Sequence, residues 1–248
     1  MIAYAIVAKA GVCHSNMLDF KRFEIITFDC YGTLINWEDG ILRCLHQILA
    51  AHRKQADDAE ILQLYGDFEA HAEQGTYRCY RDVLQSVVKQ FGEHFKFVPT
   101  ELEVRSLPES LSSWKPWPDT VSALQELQRR FRLAIISNVD DDLFASTRPQ
   151  LGVTFDQVIT AQQAQAYKPS LKIFNLALSR IGAPAERILH VGQSIYHDVI
   201  PAQSLGMATV WVNRPSLRAG AGAVKAAEGR PDLEVSSLAE LALAAGRR

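Results

Sequence analysis

The chain has 248 residues, of which 48% are hydrophobic and 22% charged, and its formal net charge is -2. That length accommodates one large domain or a core with a smaller one, and the near-neutral balance gives no reason to expect nucleic acid or an anionic membrane as partner. Four scattered cysteines, Cys13, Cys30, Cys44 and Cys79, have neither the paired spacing of a zinc site nor the density of a disulfide framework, so a reducing cytoplasm is the expected compartment.

The first segment, "MIAYAIVAKAGVCHSN", is apolar but has no basic start and carries Lys9 inside the run. It reads neither as a signal peptide nor as a bilayer span, and residues 1–16 are expected to be a disordered or mis-assigned leader. Ile25-Ile26-Thr27-Phe28 is short, β-branched and aromatic, the composition of a strand buried on both faces. It delivers Asp29 to the carboxyl end of that strand, and Gly32 lets the chain turn away. In open α/β sheets that end is where ligands bind. Asp29 either caps the turn after the strand or takes part in chemistry.

Residues 38–110 contain no strand pattern and read as helical. "GILRCLHQILAAHRK" sets Ile41, Leu45, Ile48 and Leu49 on one face, and "YRDVLQSVVKQFG" is expected to end at Gly92 as a C-cap. "SSWKPWPDT" follows, a stiff return connection in which Asp119 is placed to N-cap a helix. Helices at 119–130, near 141–150, at 170–181 and near 196–205 then alternate with the strands "RLAIISN", "QVITA", "RILHVG" and "ATVWVN". Such alternation predicts an α/β fold, a Rossmann-like, doubly wound parallel sheet. The helical block interrupts it once, which predicts a core of residues 17–36 and 117–248 with residues 37–116 inserted as a helical cap. "RAGAGAVKAAEG" reads as a mobile loop.

Several strand ends carry polar residues: Ser137-Asn138 after "AII", Lys168 before Pro169, and Gln193-Ser194 with Asp198 in the following turn. Each alone has a plain explanation as a helix cap, a loop residue or a surface charge. In chain order, each at a strand end, they converge on one crevice if the strands are neighbours.

On "DCYGTL", Ser137 in "IISN", Lys168 in "YKP" and "VGQSIYHD", the sequence resembles the haloacid dehalogenase superfamily of aspartate-nucleophile hydrolases, from about Phe23 onward. The resemblance implies that Asp29 is the nucleophile. Superfamily phosphatases carry a second Asp two residues later and an acidic residue in the fourth motif to hold magnesium; here those positions are Tyr31 and Gln193. Magnesium prefers hard anionic oxygens, so an amide weakens such a site. The sequence is similar instead to the carbon-attacking type II 2-haloacid dehalogenases, and more closely to the L-azetidine-2-carboxylate hydrolase subgroup. That implies a reaction without metal or cofactor at C2 of a small carboxylate, through an aspartyl ester, giving a 2-hydroxy acid. The implied catalytic residues are Asp29, Thr33, Lys168 and Asp198. Lys168 would compensate charge, and Asp198 would activate water. Tyr31, Ser137, Asn138, Gln193 and Ser194 would meet the substrate, with Thr33, Ser137 and Asn138 hydrogen-bonding Asp29 or the substrate carboxylate. A magnesium-dependent phosphatase is the alternative. The pattern departs at the cap helix "ILQLYGDFEAH", which lacks the arginine that receives the halide in dehalogenases. Tyr77, Arg78, Tyr80 and Arg81 are candidates for the cap face, and His197 is a candidate base. A small anionic carboxylate is the expected partner, and the protein is expected to be a monomer or a homodimer.

Overall fold

A computed structural model describes residues 18–214 and 227–246. The expected leader and most of the glycine-rich loop lie outside the described residues. In chain order the elements are β1 (Ile25–Phe28), α1 (Trp37–Ala51), α2 (Asp58–Ala72), α3 (Tyr80–Phe95), α4 (Glu101–Ser110), α5 (Thr120–Gln128), β2 (Arg132–Ser137), α6 (Asp141–Thr147), β3 (Gln157–Thr160), α7 (Ala161–Ala164), α8 (Leu171–Ile181), β4 (Ile188–Gly192), α9 (Ile200–Ser204), β5 (Ala208–Val212), β6 (Leu233–Val235) and α10 (Leu238–Gly246). A π-helical turn, Ile195–Val199, joins β4 to α9. No helix among the described residues is long and apolar enough to cross a membrane.

The six strands form one parallel sheet in the order β3-β2-β1-β4-β5-β6. The order reverses at β1, so the crevice for ligands opens at the carboxyl ends of β1, β2 and β4. Side-chain alternation divides the apolar residues between two faces. Ile26, Phe28, Leu133, Ile135 and Val191 join one core with Leu124 and Leu127 of α5 and Leu238 and Leu241 of α10. Ile25, Ile136, Ile159 and Ile188 join the other with Ile173 and Phe174 of α8 and Ala202 of α9. Helices thus cover both faces, which is why the strands are apolar throughout rather than alternating.

Helices α1 to α4 fill the connection between β1 and α5. Their amphipathic faces meet one another: Ile41, Leu45 and Leu49 of α1, Ile61 and Tyr65 of α2, Val83, Val87 and Phe91 of α3, and Leu107 of α4 are buried. The chain leaves and re-enters the sheet side by side, with Ile35 bridged to Pro116 and Asn36 N donating to Lys115 O at 2.9 Å. Trp117 Nε1 ties the returning strand to Gly32 O at 2.9 Å.

Three local expectations are corrected. Gly92 is not a C-cap: α3 continues to Phe95, and Lys96 takes the left-handed conformation there (φ 60°). Gly92 instead lets the chain fold back, since a Cβ would lie 2.7 Å from Pro99 Cδ and 2.8 Å from Phe97 O. The Asp119 side chain does not cap α5; it accepts from Leu238 N at 2.6 Å and Ala239 N at 3.2 Å, capping α10 across space, and pairs with Arg214 Nη1 at 2.8 Å. The third correction is the existence of β6 and α10, which the strand-helix alternation did not mark. β6 has only three residues, too few for a period, and α10 follows it directly.

Arg214 also donates to Thr33 O at 3.0 Å, so the pair with Asp119 braces the loop after β1. Asp119→Ala is expected to cost about 3 kcal/mol, because it strands a buried guanidinium and uncaps α10. Asp119→Asn, which keeps the capping acceptor, should cost less. Urea midpoints of the two variants check the order.

Candidate active site

Asp29 stands one residue beyond β1, held in the ladder by its N–H to Val191 O at 2.9 Å. Its carboxylate accepts from Thr33 Oγ1 at 2.7 Å on one oxygen and from Lys168 Nζ at 2.8 Å on the other. Gly32 has φ +95°, the turn that swings Thr33 back towards Asp29. Thr33 Oγ1 in turn accepts from Gln193 N at 2.8 Å, which joins the first motif to the end of β4.

Lys168 arrives from the segment before α8. Its ammonium donates to Asp29 Oδ1, to Asp198 Oδ1 at 2.6 Å and to Ile136 O at 3.1 Å. Lys168 and Asp198 are almost wholly enclosed, at 2% and 1% exposure. Asp198 also meets His190 Nε2 at 3.3 Å and accepts from Ser194 N at 3.3 Å. Gly192 permits this approach, because a Cβ there would lie 2.5 Å from the Asp198 carboxylate.

Two carboxylates and one ammonium share a space with little water. Burial opposes the charge of Asp198, yet Lys168 and His190 outweigh it and hold its carboxyl well below the usual range. Burial pushes the Asp29 carboxyl up; Lys168 pulls it down, and the charge of Asp198 adds to the rise. Burial disfavours the charged form of Lys168, but its two carboxylate partners raise it above the usual lysine value.

The remaining residues of the resemblance fall into different places. Ser137 ends β2 at the cavity, its hydroxyl buried and without a protein partner. Asn138 also lines the cavity, but its amide is spent on the backbone of Lys168: Oδ1 accepts from Lys168 N at 2.6 Å and Nδ2 donates to Lys168 O at 3.2 Å. It holds Lys168 rather than bonding Asp29. Ser194 caps the π turn, accepting from His197 N at 3.0 Å, with its hydroxyl 3.2 Å from His197 Nδ1. Gln193 lines the cavity, and its backbone O accepts from Trp211 Nε1 at 2.6 Å. Tyr31 forms a wall, its hydroxyl 2.9 Å from Thr147 Oγ1 and its ring edge-on to Trp114. Cys30 points to the opposite side of the sheet into the core, as the alternation predicts.

The cavity measures about 70 Å³. Trp37, Glu69, Glu73 and Tyr80 supply its wall on the side of the inserted helices. Of the four cap candidates only Tyr80 lines it. Arg81 pairs outward with Asp142 at 2.5 Å, Arg78 donates to Asp82 O, and Tyr77 faces Asp140 at 3.5 Å.

The sequence reading does not mark the two glutamates. Tyr65 and Tyr80 hydroxyls donate to Glu69 Oε1 at 2.8 and 2.5 Å. Burial pushes both glutamates up, Glu73 further because Glu69 adds negative charge beside it. A sequence signal exists: Tyr65 and Glu69 of α2 and Glu73 at its C-cap recur every four residues and so fall in one row, which begins at the buried Tyr65.

A sequence model of the haloacid dehalogenase-like hydrolases matches residues 23–206. The chain is 30% identical to haloacetate dehalogenase H-2 of Moraxella sp. (strain B) over 78% of its length and 87% of the relative's. It is 25% identical to an (S)-2-haloacid dehalogenase of Pseudomonas putida over 89% and 96% of the two chains. The L-2-haloacid dehalogenase of Xanthobacter autotrophicus, solved with chloropropionic acid covalently bound, superposes with a TM-score of 0.75 at 19% identity, covering 89% of this chain and 97% of that one. The chain belongs to the haloacid dehalogenase-like hydrolase family. Within it, the curated relatives place the chain beside the 2-haloacid dehalogenases.

Lys168→Met is expected to lower activity by several orders of magnitude and to cost about 3 kcal/mol of stability at neutral pH, because two buried carboxylates lose their shared cation. In the variant the folded-state carboxyl values rise above the unfolded ones, so stability should recover as the pH falls. Denaturation midpoints measured from neutral to acid pH check the sign.

Proposed function

We propose that this protein hydrolyses the bond between C2 and a leaving group in a small 2-substituted carboxylate, as a 2-haloacid dehalogenase does. The observation that carries this reading is the ammonium of Lys168 held between Asp29 and Asp198. It favours the ionised form of the buried Asp29 carboxylate beside a small cavity, as a nucleophile requires.

In this reading an Asp29 oxygen attacks C2 from the side opposite the leaving group, which departs with the bonding electron pair. The product is an ester between Asp29 and the 2-carbon. Asp198 takes a proton from water, and the water oxygen adds to the Asp29 carboxyl carbon. Breaking the bond from that carbon to the ester oxygen releases the 2-hydroxy acid, and its new hydroxyl carries the oxygen Asp29 used to attack. Thr33 and Lys168 hold the nucleophile, Asn138 holds Lys168, and the free hydroxyl of Ser137 is available to the substrate. The helices of residues 37–116 act as the cap that closes over it.

Magnesium, which phosphatases of this superfamily use, does not fit this donor set. Both carboxylates are engaged by one ammonium, and position 193 offers an amide. No group of three or more His, Cys, Asp or Glu side chains suited to a metal occurs among the described residues.

The cap wall supports a second reading of the leaving group. Two glutamates line the same cavity as Asp29, and no arginine is among its lining residues. A departing halide gains nothing from ionised carboxylates. A protonated Glu73 can donate to it, and a carboxylate suits a leaving nitrogen that arrives as an ammonium and departs as an amine.

The experiment is a panel of 2-halopropionates and cyclic 2-amino acids, with products identified by mass, run beside an aryl phosphate with and without magnesium. Turnover at C2 that survives a chelator is expected. Gln193→Asp should lower it, because a third carboxylate repels the substrate. Phosphate release that requires magnesium, without turnover at C2, would overturn the reading. Release of halide, or opening of the ring, chooses between the leaving groups.

A further inference from the structure

His190 is a buried imidazole that the proposed chemistry leaves unused. It sits in the middle of β4, 1% exposed, in a layer otherwise made of Ile25, Ile136, Ile159 and Phe174. Phe174 of α8 meets its ring edge-on at 5.3 Å. An apolar residue would fill this place without burying two ring nitrogens. Both nitrogens have partners. Nδ1 lies 2.9 Å from Thr27 Oγ1, and Nε2 lies 3.3 Å from Asp198 Oδ1.

The register makes the contact. Thr27 and His190 are paired residues of the adjacent parallel strands β1 and β4, so their side chains leave the same face of the sheet. Asp29, two residues after Thr27, shares that face. A polar layer, Thr27 and His190, therefore underlies the layer of Asp29, Lys168 and Asp198.

We infer that His190 is a positioning residue for Asp198, held by Thr27 with its Nε2–H towards the carboxylate, and that it serves the hydrolysis of the ester rather than its formation. The chain of donors runs one way. An ionised carboxylate only accepts, so Nε2 carries the proton, and in this tautomer Nδ1 accepts from the Thr27 hydroxyl. Lys168 divides its ammonium between Asp198 Oδ1 and Asp29, and Ser194 N reaches only the other Asp198 oxygen, at 3.3 Å, so His190 is the second donor to Oδ1. When Asp29 becomes an ester and loses its charge, Lys168 has one carboxylate left, and His190 keeps Asp198 from swinging wholly onto it. The carboxylate then stays turned towards the water it must deprotonate.

This rests on the reading of Asp198 as the group that activates water, and the experiment separates the two. His190→Phe fills the space, His190→Gln returns an N–H near Nε2, and Thr27→Val removes only the hydroxyl from the strand. With a substrate from the panel, intact-protein mass reads the esterified fraction at steady state while kcat and KM are measured. His190→Phe is expected to lower kcat by about 10²-fold, the scale of a misplaced general base, with KM falling alongside it and kcat/KM little changed. The ester should accumulate. Thr27→Val should show the same pattern more weakly, and His190→Gln should restore most of kcat. Wild-type kcat in both His190→Phe and Thr27→Val, or equal losses of kcat and kcat/KM without ester, would overturn the inference. If the wild-type enzyme forms no ester with any substrate, the functional reading fails instead. Nitrogen NMR of the resting enzyme then still decides on His190: a protonated Nε2 with an accepting Nδ1 supports the inference, and the opposite tautomer overturns it.

Discussion

One ammonium organises this molecule's site. Lys168 Nζ reaches two carboxylates and a strand-end carbonyl within 3.1 Å, in a place almost closed to solvent. Removing three charges from water costs several kcal/mol each, and their attraction repays that only when the geometry is good. Much of the nearby structure supplies that geometry. β1 delivers Asp29, β4 and its π turn deliver Asp198, and the Asn138 amide clamps the backbone of Lys168 from both sides. Thr33 binds Asp29 and is itself held by Gln193 N and, through its carbonyl, by Arg214. Each arm comes from a different part of the chain. The parallel sheet is what brings them together.

The cavity is completed from the other side by the inserted helices. Asp29, Ser137, Asn138, Lys168 and Asp198 line it on the side of the sheet, and Trp37, Glu69, Glu73 and Tyr80 on the side of the inserted helices. In the proposed reading the leaving group meets the wall of Trp37, Glu69 and Glu73. The Tyr65 and Tyr80 hydroxyls fix Glu69, while burial and the neighbouring Glu69 raise the Glu73 carboxyl.

The core fold is legible in the sequence because its strands are short, β-branched and separated by helices. Asp29 and Ser137 can be read from the points where apolar runs stop. Lys168, beyond α7, and Asp198, in the π turn after β4, do not stand at strand ends as expected and reach the site through those connections. His190 cannot be read this way either, since it interrupts the run "RILHVG" in a strand's middle, where a single polar residue has no period to betray it. Glu69 and Glu73 are hidden for another reason: acidic residues on a helix read as a solvated face until a partner surface is known. Asn138 lines the cavity as its place after β2 suggests, but which group its amide bonds depends on a distance between β2 and the segment before α8. The same holds for Asp119, whose position predicts a cap and whose partner is a helix more than a hundred residues away.

The central claim is that Asp29 becomes covalently attached to carbon, and labelled water tests it most directly. During several turnovers in heavy-oxygen water, the label should enter the Asp29 carboxyl, found by mass in the peptide that contains it. The product of a first, single turnover should carry ordinary oxygen at C2. Label in that first product, with none in Asp29, would mean that water attacks the substrate itself and would contradict the account.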